Sequence, residues 1–413
     1  MYVVAIILSV VSPVVCAVIA LQFLDQIKAR WPRWICLSSM SLAVLSSPAF
    51  VLASFGFLSV ETSCYCSLLA MCVLLPALFA NGGNLSESLF SAAIAAVLIP
   101  NLVVVVAARR NEGATEVTPP GHRLVTIQSG GLERSVLVHV PPAYDGNTPL
   151  PLVLMLHGMG GTAANSMRET GWSEKADVET FIAAYPEATR PDPLQPPSLR
   201  RNPQAWNDGS GRFHAAERSI DDVAFISAVF DRLARDYRID DRRVYVAGFS
   251  NGASMAFRVG AELSDRVAAI APNAGACWTR TPQLKRGISL CYITGTADSL
   301  NPLEGGFPKL NLGGGNQGGK PKPPVSDSIE KWTKVLNCPD SPVSDETRNG
   351  VQTRRFGSGR DGAEVLFITV EGLGHHWAGG ISQAPEFLVG RNTSKLKATD
   401  VVWDFFQSHP AHQ

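Results

Sequence analysis

The residues Arg243–Gly252 read RVYVAGFSNG and place a serine between two glycines, directly after an apolar run. Residues 244–247 fit a buried strand, and a helical pattern begins at Asn251. Small residues are needed where a strand turns sharply into a helix, and the serine is then exposed on a strained turn. A glycine turn with a capping serine is the alternative. The strand before and the helix after favour a nucleophile at Ser250, with the N–H of Asn251 facing the same space.

Strand and helix patterns alternate on both sides of this turn. Strands are predicted at 135–140, 152–156, 181–185, 243–247, 267–271, 289–294 and 363–370. Helices are predicted at 221–237, 251–263 and 399–407. The alternation predicts an α/β domain with a mostly parallel sheet over residues 122–413. A run rich in Gly, Pro and Lys at 310–326 predicts a loop near the site or over it.

A glycine-rich loop, His157-Gly158-Met159-Gly160-Gly161, follows the predicted strand 152–156. Glycines let the backbone approach a ligand closely. After a strand of this fold, such a loop offers a second N–H to an oxyanion, here that of Met159. A phosphate-binding loop is the alternative, but the Gly-Lys-Ser/Thr ending and the dinucleotide fingerprint are both missing.

A nucleophilic serine needs a base, and after Ser250 the histidines are His375, His376, His409 and His412. The last two lie in the terminal tail, where order is poor. The first two occupy a loop after a predicted strand, which is where the base of this architecture is found. Adjacent side chains cannot share one position, so the residue pattern leaves this pair open.

The acid that orients the base is expected between the serine and the histidine in the chain. Asp298 follows the predicted strand 289–294 immediately. Asp265 comes too soon after the nucleophile helix, and Glu304 lies farther from the strand end. A turn residue is the alternative role for a lone aspartate in a loop. Strand, serine and histidine together favour Asp298.

The chain resembles the poly(3-hydroxybutyrate) depolymerase and feruloyl esterase group of the α/β-hydrolases. The matching stretches run in order through residues 123–407: LHG at 156–158, WNDG at 206–209, DDVAF at 221–225, RVYVAGFSNG at 243–252, GTAD at 295–298 and GHHWAGG at 374–380. The resemblance implies an α/β-hydrolase fold with Ser250 as nucleophile, Asp298 as acid and His375 as base, since the group's pattern is Gly-His-x-Trp-Pro-Gly. Ala378 replaces the usual proline and His376 stands where threonine is frequent, which concerns the substrate rather than the chemistry.

The front of the chain, residues 1–108, differs in composition from the rest. Four stretches without charge lie at 2–24, 34–60, 63–80 and 88–108. A helix needs roughly 20 apolar residues to cross a membrane, so the third stretch is marginal. A cleaved signal peptide would not explain the last three stretches, and no basic residue precedes the first. We therefore expect a multi-pass membrane segment of about four helices that contacts lipid, joined by a linker at 109–121 to the catalytic domain.

The remaining residues point to no cofactor. The predicted chemistry needs neither a metal nor an organic group, and no cysteine spacing resembles a zinc site. Cys277, Cys291 and Cys338 allow at most one disulfide within the catalytic domain. Lys plus Arg and Asp plus Glu are 36 each, and the resulting net charge of zero argues against nucleic acid as a partner. No protein partner is predicted. Trp206 and Trp377 are candidates for an aromatic wall beside the acyl group, with core packing as the alternative.

These observations favour a membrane-anchored serine esterase that hydrolyses carboxylic esters, as polyhydroxybutyrate depolymerases do. The alternatives are a feruloyl or acetyl esterase on plant polysaccharide and a serine peptidase of similar fold. A membrane sensor or scaffold with a degenerate hydrolase domain is the alternative outside the enzymes.

The expected sidedness of the catalytic domain is testable. Lys28, Arg30 and Arg33 favour a cytoplasmic first loop, and four crossings then place the catalytic domain in the periplasm or outside the cell, although Arg109 and Arg110 argue the other way. Alkaline phosphatase fused after Thr118 should be active, and green fluorescent protein fused there should be dark. Bright fluorescence with inactive phosphatase would place the domain in the cytoplasm.

Overall fold

Strands and helices alternate through the part of the chain that the computed structural model describes, residues 121–199, 201–308, 320–382 and 384–411. Their order is β1 (His122–Ser129), β2 (Leu132–His139), β3 (Leu150–Leu156), α1 (Ala163–Thr170), α2 (Trp172–Glu179), β4 (Ile182–Pro186), α3 (His214–Glu217), α4 (Asp222–Asp236), β5 (Ile239–Phe249), α5 (Asn251–Glu262), β6 (Ala269–Asn273), β7 (Ser289–Gly295), α6 (Val325–Val335), β8 (Ser344–Arg348), β9 (Val351–Phe356), β10 (Val365–Val370), α7 (Glu386–Val389) and α8 (Ala398–Ser408).

The described strands form one sheet in the order β1-β2-β4-β3-β5-β6-β7-β10-β9-β8. The six central strands, from β4 to β10, are parallel to one another. Strand β5, which leads into Ser250, therefore lies inside the parallel region. The carboxyl ends of parallel strands meet at one edge of a sheet, so the loops that follow β3, β5, β7 and β10 are neighbours there.

Antiparallel hairpins close the sheet on both sides, so the sheet is mixed rather than mostly parallel. Strands β1 and β2 are joined by Gly130 and Gly131, whose φ angles are 58° and 75°, and β8 and β9 by Asn349 and Gly350, with φ of 52° and 73°. Positive φ at both central residues is the geometry of the tight turn that suits a twisted hairpin. A two-residue turn reverses the chain, and the strands it joins must therefore pair antiparallel.

Apolar side chains cover the sheet on both faces. Along β3, Leu152, Leu154 and Leu156 belong to one hydrophobic cluster, while Val153 and Met155 belong to the other. Helices α4, α5 and α6 complete the first cluster, and α1, α2 and α8 complete the second. This burial on both faces explains why the central strands are continuous apolar runs.

The expected fold class, an α/β-hydrolase domain behind a multi-pass membrane segment, is corrected in its second part. In residues 121–411, apart from the gaps stated above, no helix has both the length and the apolar character needed to span a bilayer. The four stretches expected to do so lie in 1–108, outside the described residues, as does nearly all of the predicted linker 109–121. The fold that the structure supports is the mixed α/β domain, which belongs to a compact unit from Thr118 to Gln413.

A buried ion pair ties β2 to the start of α4. Nη2 of Arg134 lies 2.8 Å from Oδ1 of Asp222, and both side chains are at most 4% exposed. The other carboxylate oxygen accepts from the backbone N–H of Asn207 at 2.7 Å, and the guanidinium lies 3.9 Å from the ring centre of Phe225. Burial raises the pKa of Asp222 despite the attraction of Arg134, so this carboxylate depends on its partners to remain charged.

Two adjacent aspartates provide a matched test of this pair. Asp222→Asn removes the carboxylate that pairs directly with the buried guanidinium, and we expect it to lower the free energy of unfolding by about 3–5 kcal/mol. Asp221 only caps α4, accepting from the N–H of Ala224 at 2.9 Å. Because asparagine caps helices nearly as well, Asp221→Asn should cost less than about 0.5 kcal/mol. Urea unfolding measures both values, and equal losses would show that the ion pair is not a special contributor.

Candidate active site

Ser250 occupies the turn between β5 and α5 in a strained backbone conformation, with φ of 55° and ψ of −116°. Strain of this kind costs on the order of 1–3 kcal/mol and persists only where the surroundings enforce it. An added Cβ on Gly248 would lie 2.2 Å from the carbonyl oxygen of Gly252, and one on Gly252 would lie 2.1 Å from that of Leu156. The N–H of Ser250 donates to the carbonyl of Asn273 at 2.9 Å, which fixes the turn to β6.

His375 reaches this serine from the loop after β10. Its Nε2 lies 2.8 Å from Oγ of Ser250, and its ring packs 4.9 Å from that of Phe249, centre to centre. The backbone N–H of His375 donates to the carbonyl of Val389 at 2.6 Å, so the segment that follows holds the loop in place. The imidazole can therefore accept the hydroxyl proton of Ser250 without moving its backbone.

Asp298 lies on the other side of the imidazole and completes a hydrogen-bonded row of three side chains, Ser250, His375 and Asp298. Its Oδ2 lies 2.8 Å from Nδ1 of His375, and its Oδ1 accepts from the N–H groups of Leu300 at 2.9 Å and Asn301 at 2.7 Å. Burial alone would raise the pKa of this carboxyl, but His375, the Asn301 N–H and the charge of Lys322 outweigh it and lower the pKa. An ionised carboxylate at Nδ1 leaves Nε2 as the acceptor that faces the serine.

His376 points away from the serine. Its Nε2 lies 2.7 Å from the carbonyl oxygen of Gly390, and the side chain is buried. Burial lowers the pKa of His376, so the ring is a neutral donor to that carbonyl. The structure thus gives the adjacent histidines different partners and brings His375 alone to Ser250.

The glycine loop after β3 lies against the serine. An added Cβ on Gly158 would be 3.2 Å from Cβ of Ser250. The N–H of Gly160 donates to the carbonyl of Gln204 at 2.7 Å, and that of Gly161 to Gly158 at 3.0 Å. Within the described residues, the backbone N–H groups of Met159 and Asn251 donate to no acceptor. Both remain available to a developing anion, and their predicted role as oxyanion donors stays a prediction.

His157 holds this loop without taking part in the row. Its Nε2 accepts from the N–H of Ala188 at 3.1 Å, so Nδ1 carries the proton and donates to the carbonyl of Gly158 at 2.8 Å. Complete burial lowers the pKa of His157 to about 4. The ring is therefore neutral at physiological pH and fixes the orientation of the Gly158 peptide.

The two tryptophans predicted to line an acyl wall are buried instead. Trp206 is 0% exposed and Trp377 is 4% exposed. The indole N–H of Trp206 donates to the carbonyl of His157 at 2.9 Å, and that of Trp377 donates to Oγ1 of Thr399 at 2.9 Å. Both side chains therefore pack inside the protein, where each indole N–H has a hydrogen-bond acceptor, and contact of either ring with an acyl group stays a prediction.

The side chain of Asn251 has a role that its sequence context did not reveal. Its Oδ1 accepts from the backbone N–H of Trp206 at 2.8 Å, and its Nδ2 donates to the Trp206 carbonyl at 3.2 Å and to Oδ2 of Asp208 at 2.8 Å. The first residue of the nucleophile helix is thereby fastened to the WNDG loop. The side chains of Asn301 and Lys322 behind Asp298 were missed in the same way, since nothing in their local sequence marks them.

In the part of the chain that the structure describes, no three His, Cys, Asp or Glu side chains are grouped so that they could hold a metal ion. Cys277, Cys291 and Cys338 are free thiols in buried positions. Burial raises the pKa of all three, so they are protonated and poor ligands or nucleophiles.

Comparison with known families gives one family model, Esterase PHB depolymerase, which matches residues 135–284. That range contains the glycine loop, the WNDG loop and Ser250. Asp298 and His375 lie beyond it, so their place in the site rests on the hydrogen-bonded geometry described above.

Three curated relatives are named as esterases or as a polyester depolymerase. A protein of Nocardia uniformis subsp. tsuyamanensis, provisionally described as the esterase NocK, is 30% identical over 62% of this chain and 73% of its own length. Feruloyl esterase B of Piromyces equi is 26% identical over 59% of this chain and 42% of its own length. Poly(3-hydroxyalkanoate) depolymerase C of Paucimonas lemoignei is 25% identical over 57% of each chain. The chain therefore spans about half the length of the last two.

The neighbouring histidines give a matched test of the geometry. A fluorophosphonate should modify Ser250, and His375→Gln should slow that modification by about 10³-fold or more, since the serine loses its base. His376→Gln keeps a donor for the Gly390 carbonyl and should stay within about fivefold of the unaltered chain. Labelling followed by intact-mass measurement reports both rates. Equal loss in the two variants would contradict the different roles that the contacts give to the two rings.

Proposed function

Because the chain belongs to the PHB depolymerase family of esterases, we propose that it hydrolyses carboxylic esters through an acyl-enzyme formed on Ser250. The observation that carries the proposal is the hydrogen-bonded row in which Nε2 of His375 lies 2.8 Å from Ser250 Oγ and Nδ1 lies 2.8 Å from Asp298. A serine, a base and an orienting acid in this order are the parts that acyl transfer needs.

In the first step the Oγ of Ser250 attacks the ester carbonyl carbon while His375 takes its proton. The carbonyl oxygen becomes an anion in the tetrahedral intermediate. The same proton then passes from Nε2 to the leaving alcohol as the C–O bond breaks, which leaves the acyl group on the serine. Asp298 stays ionised and stabilises the charged imidazole between these two transfers.

The anion of the intermediate lies within reach of two backbone donors in this proposal, the N–H groups of Met159 and Asn251. The close approach of the Gly158 backbone to Ser250 supports it, because a side chain there would push the loop away. Each such donor is worth roughly 3–4 kcal/mol of transition-state stabilisation. In the second step, water attacks the acyl carbon while His375 takes one of its protons. The bond from that carbon to Ser250 Oγ then breaks, His375 returns the proton to Oγ, and the acid is released.

Exposed apolar side chains support an apolar ester as substrate. The loops after β4, β7 and β10 belong to the same edge of the sheet as Ser250. They carry large apolar side chains whose exposed fractions lie between 44% and 91%, namely Leu194, Leu199, Phe307, Ile381 and Phe387. Leu199 also lies directly against Gly160 of the glycine loop. An exposed apolar group beside a site favours contact with a poorly hydrated ligand. Leu199 therefore supports an apolar substrate, and we favour a hydroxyalkanoate ester over a feruloyl or acetyl ester of a polysaccharide.

A substrate panel on the full chain in detergent tests this function. We expect hydrolysis of p-nitrophenyl butyrate and of 3-hydroxybutyrate oligomers, with weaker activity on methyl ferulate and acetylated xylan and none on peptides. Rapid mixing should show a burst of p-nitrophenol that approaches one equivalent, because this good leaving group departs on acylation and we expect deacylation to be the slower step. Ser250→Ala should remove the burst and the turnover while the circular dichroism spectrum stays unchanged.

Several outcomes would contradict the proposal. Cleavage of peptides without cleavage of esters would favour a peptidase. Undiminished turnover in Ser250→Ala would exclude the acyl-enzyme on this serine. Preference for methyl ferulate by a factor of ten or more would leave the chemistry intact and replace the proposed substrate. The location of the domain outside the cytoplasm is a separate proposal, which the fusion experiment decides.

A further inference from the structure

A buried lysine lies behind the acid of the active site. Lys322 is 8% exposed, and its Nζ donates to Oδ1 of Asn301 at 3.1 Å. Its backbone is fixed by two hydrogen bonds with Gly306, each 2.9 Å long. An ammonium group buried in this way is costly unless it is paired, and in the described residues its nitrogen forms no ion pair within 4.0 Å.

Hydrogen bonds connect this lysine to the row of Ser250, His375 and Asp298. Asn301, which accepts from Lys322, donates its backbone N–H to Asp298 at 2.7 Å. The side-chain amide of Asn301 donates to the hydroxyl of Tyr292 at 3.1 Å, and that hydroxyl donates to the carbonyl of Gly275 at 2.6 Å. Asn301 is itself 2% exposed, so this network is shielded from water and its electrostatic effects are weakly screened.

Lys322 interacts with several charged groups, among them the Asp298 carboxylate. Burial, and secondly the charge of Arg212, lower the pKa of Lys322 to about 8, while Asp298 and Asp208 act in the opposite direction. At pH 7 the group is therefore still mostly protonated. Its positive charge is one of the causes that lower the pKa of Asp298. The other ionisable groups that interact with this part of the site are His375, His376, Glu386 and Tyr292.

We propose that Lys322 is a positioning residue of the esterase reaction, whose ammonium group holds Asn301 and supplies a positive charge behind the Asp298 carboxylate; the proposal rests on the proposed function. The lysine touches neither the serine nor the ester. It acts through its charge, which helps to keep the Asp298 carboxylate ionised beside His375.

The consequence is a shift in the pH profile. A positive charge near the Asp298 carboxylate opposes its protonation, so the ionised form persists to lower pH. Without that charge Asp298 takes up a proton at higher pH. The acidic limb of kcat/KM should therefore move upward by about one pH unit, and kcat/KM below the limb should fall about tenfold.

The experiment measures the pH dependence of kcat/KM for p-nitrophenyl butyrate in the full chain and its variants. It runs from about pH 4 to about pH 8, which spans the range where carboxylates and imidazoles ordinarily titrate. Lys322→Met removes the charge and the hydrogen bond. Lys322→Gln removes the charge and keeps a donor for Asn301. Lys322→Arg keeps the charge. We expect the acidic limb to move in Lys322→Met and Lys322→Gln and to stay in place in Lys322→Arg. Thermal unfolding confirms that each variant is folded.

A control on the same loop is provided by Lys320, which is exposed and donates to the carbonyl of Ser210 at 3.1 Å. Lys320→Met should leave the limb unchanged, because a solvated charge is screened. A limb at the unaltered position in Lys322→Met or Lys322→Gln, in an enzyme that hydrolyses the ester normally, would overturn the role of Lys322 and leave the proposed function standing. A full chain that hydrolyses no ester would overturn the proposed function and this role together.

Discussion

The strained turn at Ser250 is the constraint on which the site depends. A serine with positive φ is held there only because β5 enters the turn from the centre of the sheet and α5 leaves it against the end of β3. The carbonyls of Gly252 and Leu156 occupy the space that side chains on Gly248 and Gly252 would need. Sheet, turn and helix therefore lock one another, and the strain is offset by packing throughout the core.

Close packing of that turn also determines where the glycine loop after β3 can lie. The glycine loop follows β3, the strand beside β5, and approaches Ser250 where Gly158 has no side chain. Trp206 then fastens this loop to the nucleophile helix, since its indole bonds to His157 and its backbone to Asn251. The buried tryptophan and asparagine thereby hold the glycine loop and the start of α5 in one fixed arrangement.

The Asp298 carboxylate is a buried charge, and burying a charge costs free energy. Burial opposes the ionisation of Asp298, and the structure offsets it with two backbone donors, the imidazole of His375 and the nearby charge of Lys322. Lys322 in turn lies in a loop segment that pairs with Gly306 in an isolated antiparallel bridge. Ionisation of the acid is thus coupled to loop segments that are distant from it in the chain.

Local patterns in the sequence determined the elements that carry the site: the serine turn, the glycine loop, Asp298 after its strand and a histidine loop after the last parallel strand. These features arise from the chemistry of neighbouring residues, so a short window contains them. The antiparallel hairpins that make the sheet mixed were missed. Hydropathy led us to expect membrane-spanning helices, and the described residues contain no helix long and apolar enough to span a bilayer. The resemblance already favoured His375 over His376, but only the tertiary structure gave the two rings separate partners, buried Trp206 and Trp377, and placed Lys322 behind Asp298. Each of these depends on a partner far away in the chain, such as the carbonyl of Gly390 for His376, and the direction of a side chain is determined by such partners.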